Sequence, residues 1–114
     1  MSNEIAKDAH PAFPIPATSE LELVRVLKAA ADPARLVMLA QLADGEFHSC
    51  SPNEYPLTIH KSTLSHHFKT LRESGLTRTR VVGHDHYVRL RREDLEARWP
   101  RLLEALLQAA QAET

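Results

Sequence analysis

An amphipathic helix followed directly by an arginine-bearing hairpin is the feature that most limits the folds open to this chain. The segment STLSHHFKTLRESGL predicts a helix with Ser62 as its N-cap, an end near Ser74 and Gly75 as its terminator. At about 100° per residue its faces differ: Leu64, Phe68 and Leu71 form an apolar stripe, and Ser62, Ser65, His66, Lys69 and Glu73 lie opposite, with His67 at the flank. We therefore expect one face in the core and the other free to bind.

The residues after this helix alternate in the manner of β-strands. TRTRVV and HYVRLR flank the turn residues Gly83, His84 and Asp85, which predicts a hairpin carrying arginines. Upstream of the helix, residues 46–58 contain two prolines and keep no period. Only a short helical turn around Ser51 to Tyr55 is expected there.

Two further helices are predicted before that turn. Apolar positions recur at helical spacing from Ser19, a candidate N-cap, to Ala31. Asp32-Pro33 starts the second helix, because an Asp side chain can cap free amides and proline at the first helical position loses no hydrogen bond. We expect this helix to stop near Gly45, which can adopt the left-handed C-terminal conformation.

The two ends of the chain differ in pattern. Residues 1–18 contain Pro11, Pro14 and Pro16 and no sustained periodicity, so we expect an extended arm in front of one domain over residues 19–114. The final apolar pattern predicts an amphipathic helix that begins at Pro100, after a short turn over Glu93 to Trp99.

Composition narrows the class and the compartment. Three glycines and 5% aromatic residues favour helices over a many-stranded sandwich or barrel. The single cysteine, Cys50, cannot form an intrachain disulfide, and the N-terminus lacks a signal-peptide pattern, so a reducing cytoplasm is expected. Because no apolar run approaches the roughly 20 residues that a bilayer requires, we do not expect a membrane protein.

The net charge of −1 hides an uneven distribution along the chain. Residues 57–92 carry eight basic residues against two acidic ones, a balance of +6. The remaining six basic and thirteen acidic residues make −7 elsewhere. A basic segment on an acidic body is typical of a polyanion-binding surface, with a solvated charged face as the alternative.

The predicted order of elements is typical of a winged helix-turn-helix, a mainly α fold with a small β-hairpin (α+β). In such a domain the recognition helix, here about 62–74, enters the DNA major groove, and the wing, about 77–91, contacts the backbone or minor groove. Short polar groups on the helix suit base edges, and cations suit phosphates. The predicted DNA-binding residues are Lys61, Ser62, Thr63, Ser65, His66, Lys69, Thr70, Arg80, His84, Arg89 and Arg91. His67 is expected to make a structural hydrogen bond.

The segments VLKAAADPARLVMLAQLADGE and STLSHHFKTLRESGLTRTRVVGHDHYVRLR resemble the ArsR-type (arsenical-resistance repressor-like) winged-helix regulators, over residues 21–107. The resemblance implies a bacterial transcriptional repressor that binds double-stranded DNA as a homodimer through its first and last helices. The implied dimer positions are Leu21, Leu102, Leu103, Leu106 and Leu107, for each of which ordinary core packing is the alternative.

Many members of this family release DNA on binding a metal. Arsenical sensors that resemble it carry a C-x-C pair where this chain reads HSCS, which leaves only His48 and Cys50 as candidate ligands. Two ligands do not close a tetrahedral site, and the last helix has acids but no histidine, so we expect no metal and no cofactor. A third ligand from another chain or from His10 stays open, and the effector is unknown.

Three alternatives remain beside a repressor without a metal. A winged helix can serve protein or RNA interaction, because fold does not decide function. Cys50 could gate a repressor by oxidation or metal binding, although a buried apolar role is favoured because no Lys or Arg is adjacent in sequence. An enzyme is not expected, since Ser65 and His66 stand one residue apart on a helix and cannot form a nucleophile–base pair.

Overall fold

The computed structural model describes residues 13–113. Five α-helices, three β-strands and two single-turn 3₁₀ helices follow one another in this part of the chain. The helices are α1 (Leu23–Ala30), α2 (Pro33–Gln41), α3 (Lys61–Ser74), α4 (Arg92–Arg98) and α5 (Leu102–Glu113). The strands are β1 (His48–Ser49), β2 (Thr77–Val82) and β3 (Asp85–Leu90), and the 3₁₀ turns are Thr18–Glu20 and Pro52–Glu54.

The first helix begins later than its sequence pattern predicts. Residues Thr18–Glu20 form a separate 3₁₀ turn, and Leu21 and Glu22 are extended before α1 starts at Leu23. The physical reason is burial, because the extended backbone turns Leu21 into the core, where it is only 3% exposed. The predicted continuous helix from Ser19 is therefore wrong at its start.

The second helix begins where the sequence predicts. Asp32 Oδ1 accepts hydrogen bonds from the amides of Ala34 (2.9 Å) and Arg35 (3.1 Å), and Pro33 occupies the first turn. The helix ends at Gln41, and turns lead to Gly45, whose φ of 79° lies in the left-handed region. The expected helical turn near Ser51 is present as Pro52–Glu54, with the Ser51 side chain as its cap.

The sheet has the order β1-β3-β2 and is antiparallel throughout. The predicted hairpin is confirmed, in a register that runs from Thr77 opposite Leu90 to Val82 opposite Asp85. Asp85 therefore opens β3 instead of belonging to the turn. Strand β1, which pairs His48 with Val88, was not predicted, because two residues carry no readable alternation.

The prediction for the C-terminal region was wrong in two respects. Residues Arg92–Arg98 form helix α4 instead of a turn, because Leu95 is buried as the apolar anchor of that segment. The last helix begins at Leu102 instead of Pro100, since Arg101 has a φ of 72° and interrupts the helical path between α4 and α5.

The core contains buried side chains from the helices and from the inner face of the sheet. Leu64, Phe68 and Leu71 of α3 are buried, as their spacing predicts, together with Met38, Leu39, Leu42, Leu76, Val88 and Leu90. The structure confirms the mainly helical α+β fold of a winged helix-turn-helix. No helix within residues 13–113 is long and apolar enough to cross a membrane. The predicted arm (1–18) and domain (19–114) remain predictions, because residues 1–12 and 114 lie outside the described part.

Candidate nucleic-acid interface

Helix α3 presents a polar face to solvent. Lys61, Ser62, Thr63, Ser65, His66 and Lys69 are exposed, and Thr70 is half-buried at the edge of this face. The N-cap is His60, which makes no side-chain capping bond, so the predicted capping role of Ser62 is wrong. The helix starts at Lys61, two residues earlier than a Ser62 cap implies, so Ser62 lies exposed within the first turn.

Gly75 controls how α3 leads into the wing. Its φ of 94° is left-handed, and its amide donates to the carbonyls of Arg72 and Leu71 as the helix ends. A Cβ at this position would clash with Leu21 Cδ2, so any side chain here has to displace Leu21 and also adopt a strained backbone conformation. The angle between α3 and β2 therefore depends on this glycine.

A buried contact holds α3 against α2. Arg35 Nη1 donates to His67 Nδ1 over 3.0 Å, and Arg35 Nε donates to the carbonyl of Ala29. His67 is 8% exposed, and burial lowers its pKa, helped by the Arg35 charge and opposed by Asp32. The imidazole is therefore held neutral with Nδ1 as an acceptor, which confirms the structural hydrogen bond predicted for His67.

Two wing arginines lie on aromatic rings on the outer face of the sheet. The Arg80 guanidinium carbon lies 4.5 Å from the centroid of Phe47 and 5.5 Å from that of Tyr87, and the Arg89 carbon lies 5.3 Å from Phe47. Within residues 13–113 neither guanidinium has an acidic partner within 4.0 Å. Both side chains are half-buried, and the Arg80 Nε is buried without a hydrogen-bond partner among the described residues.

Arg91 has a different environment, which removes it from this surface. It is 4% exposed, and its Nε donates to Asp94 Oδ2 over 2.9 Å, while Arg78 Nη2 lies 3.6 Å from the same oxygen. Burial raises the pKa of Asp94. Hydrogen bonds from Thr18 and Arg91 and the charges of Arg91 and Arg78 lower it by more, so the net shift of the pKa is downward. The predicted phosphate contact by Arg91 is not supported, because its guanidinium is buried against this carboxylate.

A groove of about 640 Å³ separates α3 from the wing. Lys61, Ser65 and Lys69 of α3 line one side, and His84, Asp85 and His86 line the other. The rest of its wall is formed by Ser49, Cys50, Ser51, Pro52, Phe68, Arg72, Thr79 and Phe13. The groove therefore brings the polar helix face and the wing tip, which are separate in sequence, to one side of the molecule.

Several known proteins have sequences similar to that of this chain. The family described as helix-turn-helix domain matches residues 30–80. An uncharacterized HTH-type transcriptional regulator, YceK of Bacillus subtilis (strain 168), is 40% identical over 83 residues, which are 72% of this chain and 83% of that protein. The chain belongs to the ArsR-type helix-turn-helix transcriptional regulators.

Two further relatives of this ArsR-type regulator have repressor names. The arsenical resistance operon repressor of Staphylococcus xylosus is 39% identical over 66% of this chain and 71% of its own length. The biofilm growth-associated repressor of Agrobacterium fabrum is 41% identical over 82% of this chain and 78% of its own length.

The candidate metal ligands of this ArsR-type regulator have other surroundings. His48 Nε2 lies 2.8 Å from Asp44 Oδ1 and 3.0 Å from Oδ2, so its ring is held by a neighbouring carboxylate. Burial raises the pKa of the half-buried Cys50 thiol to about 12, against a smaller lowering by Arg72. Among residues 13–113 no group of three or more His, Cys, Asp or Glu side chains could hold a metal ion, and His10 lies outside that range. The raised pKa makes the thiolate form of Cys50 unfavourable, which argues against ready oxidation of this residue.

The leucines implied for a dimer interface fall into two groups. Leu21, Leu103 and Leu107 are buried in the core of the protomer itself, whereas Leu102 and Leu106 are half-buried. Large apolar side chains are instead exposed on α1, at Leu23, Val24 and Leu27. An apolar cleft of about 320 Å³ adjoins it, lined by Leu27, Ala30, Ala31, Leu36, Leu106, Ala109, Ala110 and Glu113.

Three aromatic residues of the candidate nucleic-acid interface were not predicted from the sequence. Tyr87 could have been found from alternation, because it lies directly opposite Arg80 on the outer face of the hairpin. Phe47 and Phe13 carry no sequence signal for their ring contacts, since both reach their arginine partners only through tertiary folding.

Proposed function

We propose that this protein is a homodimeric, sequence-specific repressor that binds double-stranded DNA through α3 and the wing. The observation that carries the proposal is the single groove that places Ser65 and Lys69 of α3 opposite His84 of the wing. Family membership supports DNA binding and transcriptional regulation, and the names of two relatives support repression. Regulation through binding requires no catalytic group.

In this proposal α3 enters the major groove and reads base edges. Ser62, Thr63, Ser65 and His66 stand exposed in its N-terminal half, where short hydroxyls and an imidazole can approach bases closely. Thr70 lies at the edge of the same face. Base-edge hydrogen bonds carry sequence information because the major groove presents a distinct donor and acceptor pattern for each base pair.

The cations around that face position the protein on the backbone. Lys61 and Lys69 are exposed on α3, and Arg80 and Arg89 are half-buried on the wing without acidic partners among residues 13–113. His84 is exposed at the wing tip. Arg91 is left out of this set because Asp94 and the core enclose it. Phosphate contacts add affinity and salt dependence but little sequence information.

The dimer is proposed to form through the first and last helices. Val24, at 61% exposure, and its neighbours Leu23 and Leu27 form an apolar strip that continues into the cleft beside Leu36 and Leu106. A contiguous exposed apolar surface of this kind marks an interaction site in a small protein. A second copy would bury it symmetrically and supply two recognition helices for a two-fold operator.

Fluorescence anisotropy with two duplexes tests the proposal. The specific probe is the DNA upstream of the protein's own coding region, and the control is a scrambled duplex of equal length and composition. We expect specific binding to exceed random binding by about 10³-fold or more and to weaken steeply with salt. If the two duplexes bind equally and selection from random duplexes also returns no preferred sequence, the proposal of sequence-specific repression is wrong. Salt-insensitive binding to a protein partner would then support an interaction module.

A further inference from the structure

The segment before α1 is hydrogen-bonded to α4 and passes the end of α3. Thr18 Oγ1 donates to Asp94 Oδ1 over 2.7 Å, and Arg98 Nη1 donates to the Thr18 carbonyl over 2.9 Å. Pro16 Cγ lies 3.4 Å from the point that a Cβ on Gly75 would occupy. The segment therefore runs from α4 past the junction of α3 and β2, toward the groove beside the wing.

Phe13 lies where this segment reaches the groove. Its ring centroid is 4.9 Å from the guanidinium carbon of Arg72, on α3. It is also 5.2 Å from the His86 ring of β3, at an interplanar angle of 77°. A cation over the face and an edge-to-face ring are both favourable geometries for an aromatic side chain. One ring thus touches the recognition helix and the wing together.

Phe13 contacts His86 at the base of the part of the hairpin that has only two strands. Strand β1 supports β3 at Val88 and Tyr87, and the Cys50 amide donates to the His86 carbonyl over 3.0 Å. Beyond His86 the wing continues as a two-stranded tip that ends at Gly83. An isolated two-stranded ribbon is only marginally stable, so its direction depends on contacts at its base.

We propose that Phe13 is a positioning residue that braces the wing against the recognition helix and thereby increases discrimination between specific and random DNA. The bracing is a property of the free protein. The effect on discrimination rests on the function proposed above. Phe13 acts through Arg72 and His86, and it fixes the separation of the two surfaces that line the groove. Pre-positioned binding elements lose less conformational freedom on binding, and the correct site benefits most because its contacts need one geometry.

Hydrogen exchange on the free protein tests the brace without DNA. Phe13→Leu keeps an apolar side chain but removes the ring, whereas Phe13→Tyr keeps the ring. We expect Phe13→Leu to speed amide exchange at residues 81–86 by about threefold to tenfold, with Phe13→Tyr close to the wild type. Exchange at Leu76 and Val88, in the core, serves as the internal reference for unchanged folding. Equal exchange in the wing of all three proteins would overturn the brace.

The binding assay then tests discrimination. We expect Phe13→Leu to lower the ratio of specific to random affinity by about threefold or more, and Phe13→Tyr to restore it. Ile15→Val, a change of similar size at a half-buried position of the same segment, is the matched control and should keep the wild-type ratio. Tighter binding of Phe13→Leu to both duplexes would overturn the proposal, because the arm would then obstruct DNA. If the wild type shows no specific site, the proposed function fails while the exchange result still decides the brace.

Discussion

In the proposed function, side chains on α3 divide between contacts with base edges and contacts with the phosphate backbone. On α3, Ser65 and His66 offer a hydroxyl and an imidazole for hydrogen bonds, whereas Lys69 offers a point charge. On the wing, Arg80 is held on Phe47 and Tyr87 with its charge uncompensated by acids of residues 13–113. These differences in chemistry lead to different effects of mutation on specific and random DNA.

Ser65→Ala and His66→Ala are each expected to weaken binding to the specific site by about 1 to 3 kcal/mol while random DNA is nearly unaffected. Arg80→Ala should weaken both alike and reduce the slope of log affinity against log salt by about one unit. Anisotropy titrations over a salt series measure both quantities. Equal losses of the Ser65 variant on both duplexes would exclude it as a base contact, and an unchanged slope would exclude Arg80 as a phosphate contact.

The pKa of His67 predicts how stability depends on pH. Burial and the Arg35 charge lower the pKa of the folded imidazole below the value near 6.5 of an unfolded histidine. As pH falls through about 6.5, the unfolded chain binds a proton that the folded protein still resists, so stability decreases until the lower folded pKa is reached. Urea unfolding at pH 7.5 and 5.5 should show a smaller loss for His67→Gln than for the wild type.

The control for this prediction is a histidine on the wing. His84 is exposed at the wing tip and is not among the groups that shift the pKa of His67, so His84→Gln should leave the contribution of His67 to the loss of stability unchanged. A wild-type loss that persists in full in His67→Gln would assign the pH dependence to another group.

At the scale of elements, junctions decide how α3 and the wing are arranged. The N-terminus of α2 is set by Asp32 and Pro33, and the α3–β2 junction by Gly75. Both were predictable, because capping and helix termination act within one turn of backbone. The start of α5 was not, since the interruption at Arg101 depends on where α4 buries Leu95.

Gly75→Ala should destabilise the protein more than Gly83→Ala does. Both glycines have positive φ, which costs alanine about 1 kcal/mol. At Gly83 the added Cβ meets no atom within 4 Å, whereas at Gly75 it must displace buried Leu21. We expect a loss of about 1 kcal/mol for Gly83→Ala and about 2 kcal/mol or more for Gly75→Ala by urea unfolding. Equal losses would show that the Leu21 side chain moves aside without cost.

At the scale of the whole molecule, the apolar surface and the polar face of α3 belong to different parts of the protein. Leu23, Val24 and Leu27 are exposed on α1, and the groove lies between α3 and the wing. A dimer built on α1 and α5 would therefore leave the groove accessible. The proposed dimer interface and the proposed DNA-binding surface thus use different residues, and each can be tested by its own mutations.

Val24→Glu is expected to convert the proposed dimer to a monomer, because a charge would be buried in the proposed apolar interface. Sedimentation velocity across a range of concentrations measures the change. Ile59→Glu is the matched control, since Ile59 is an exposed apolar residue at 37% outside the α1 surface. A wild type that stays monomeric at all concentrations, or an Ile59 variant that also dissociates, would contradict an α1-based dimer.

The sequence alone determined the features that depend on neighbours within a turn or a strand. These include the Asp32 cap, the Gly75 terminator, the buried stripe of α3 and the hairpin, because capping, left-handed glycine and side-chain periodicity are local. Only the tertiary structure decided which arginines remain accessible. The sequence predicts one strand that carries both Arg89 and Arg91 and hence equal roles, yet the strand ends at Leu90, Phe47 contacts Arg89 at the surface and Asp94 pairs with the buried Arg91. Burial and pairing are contacts between distant segments, and a local pattern does not contain them.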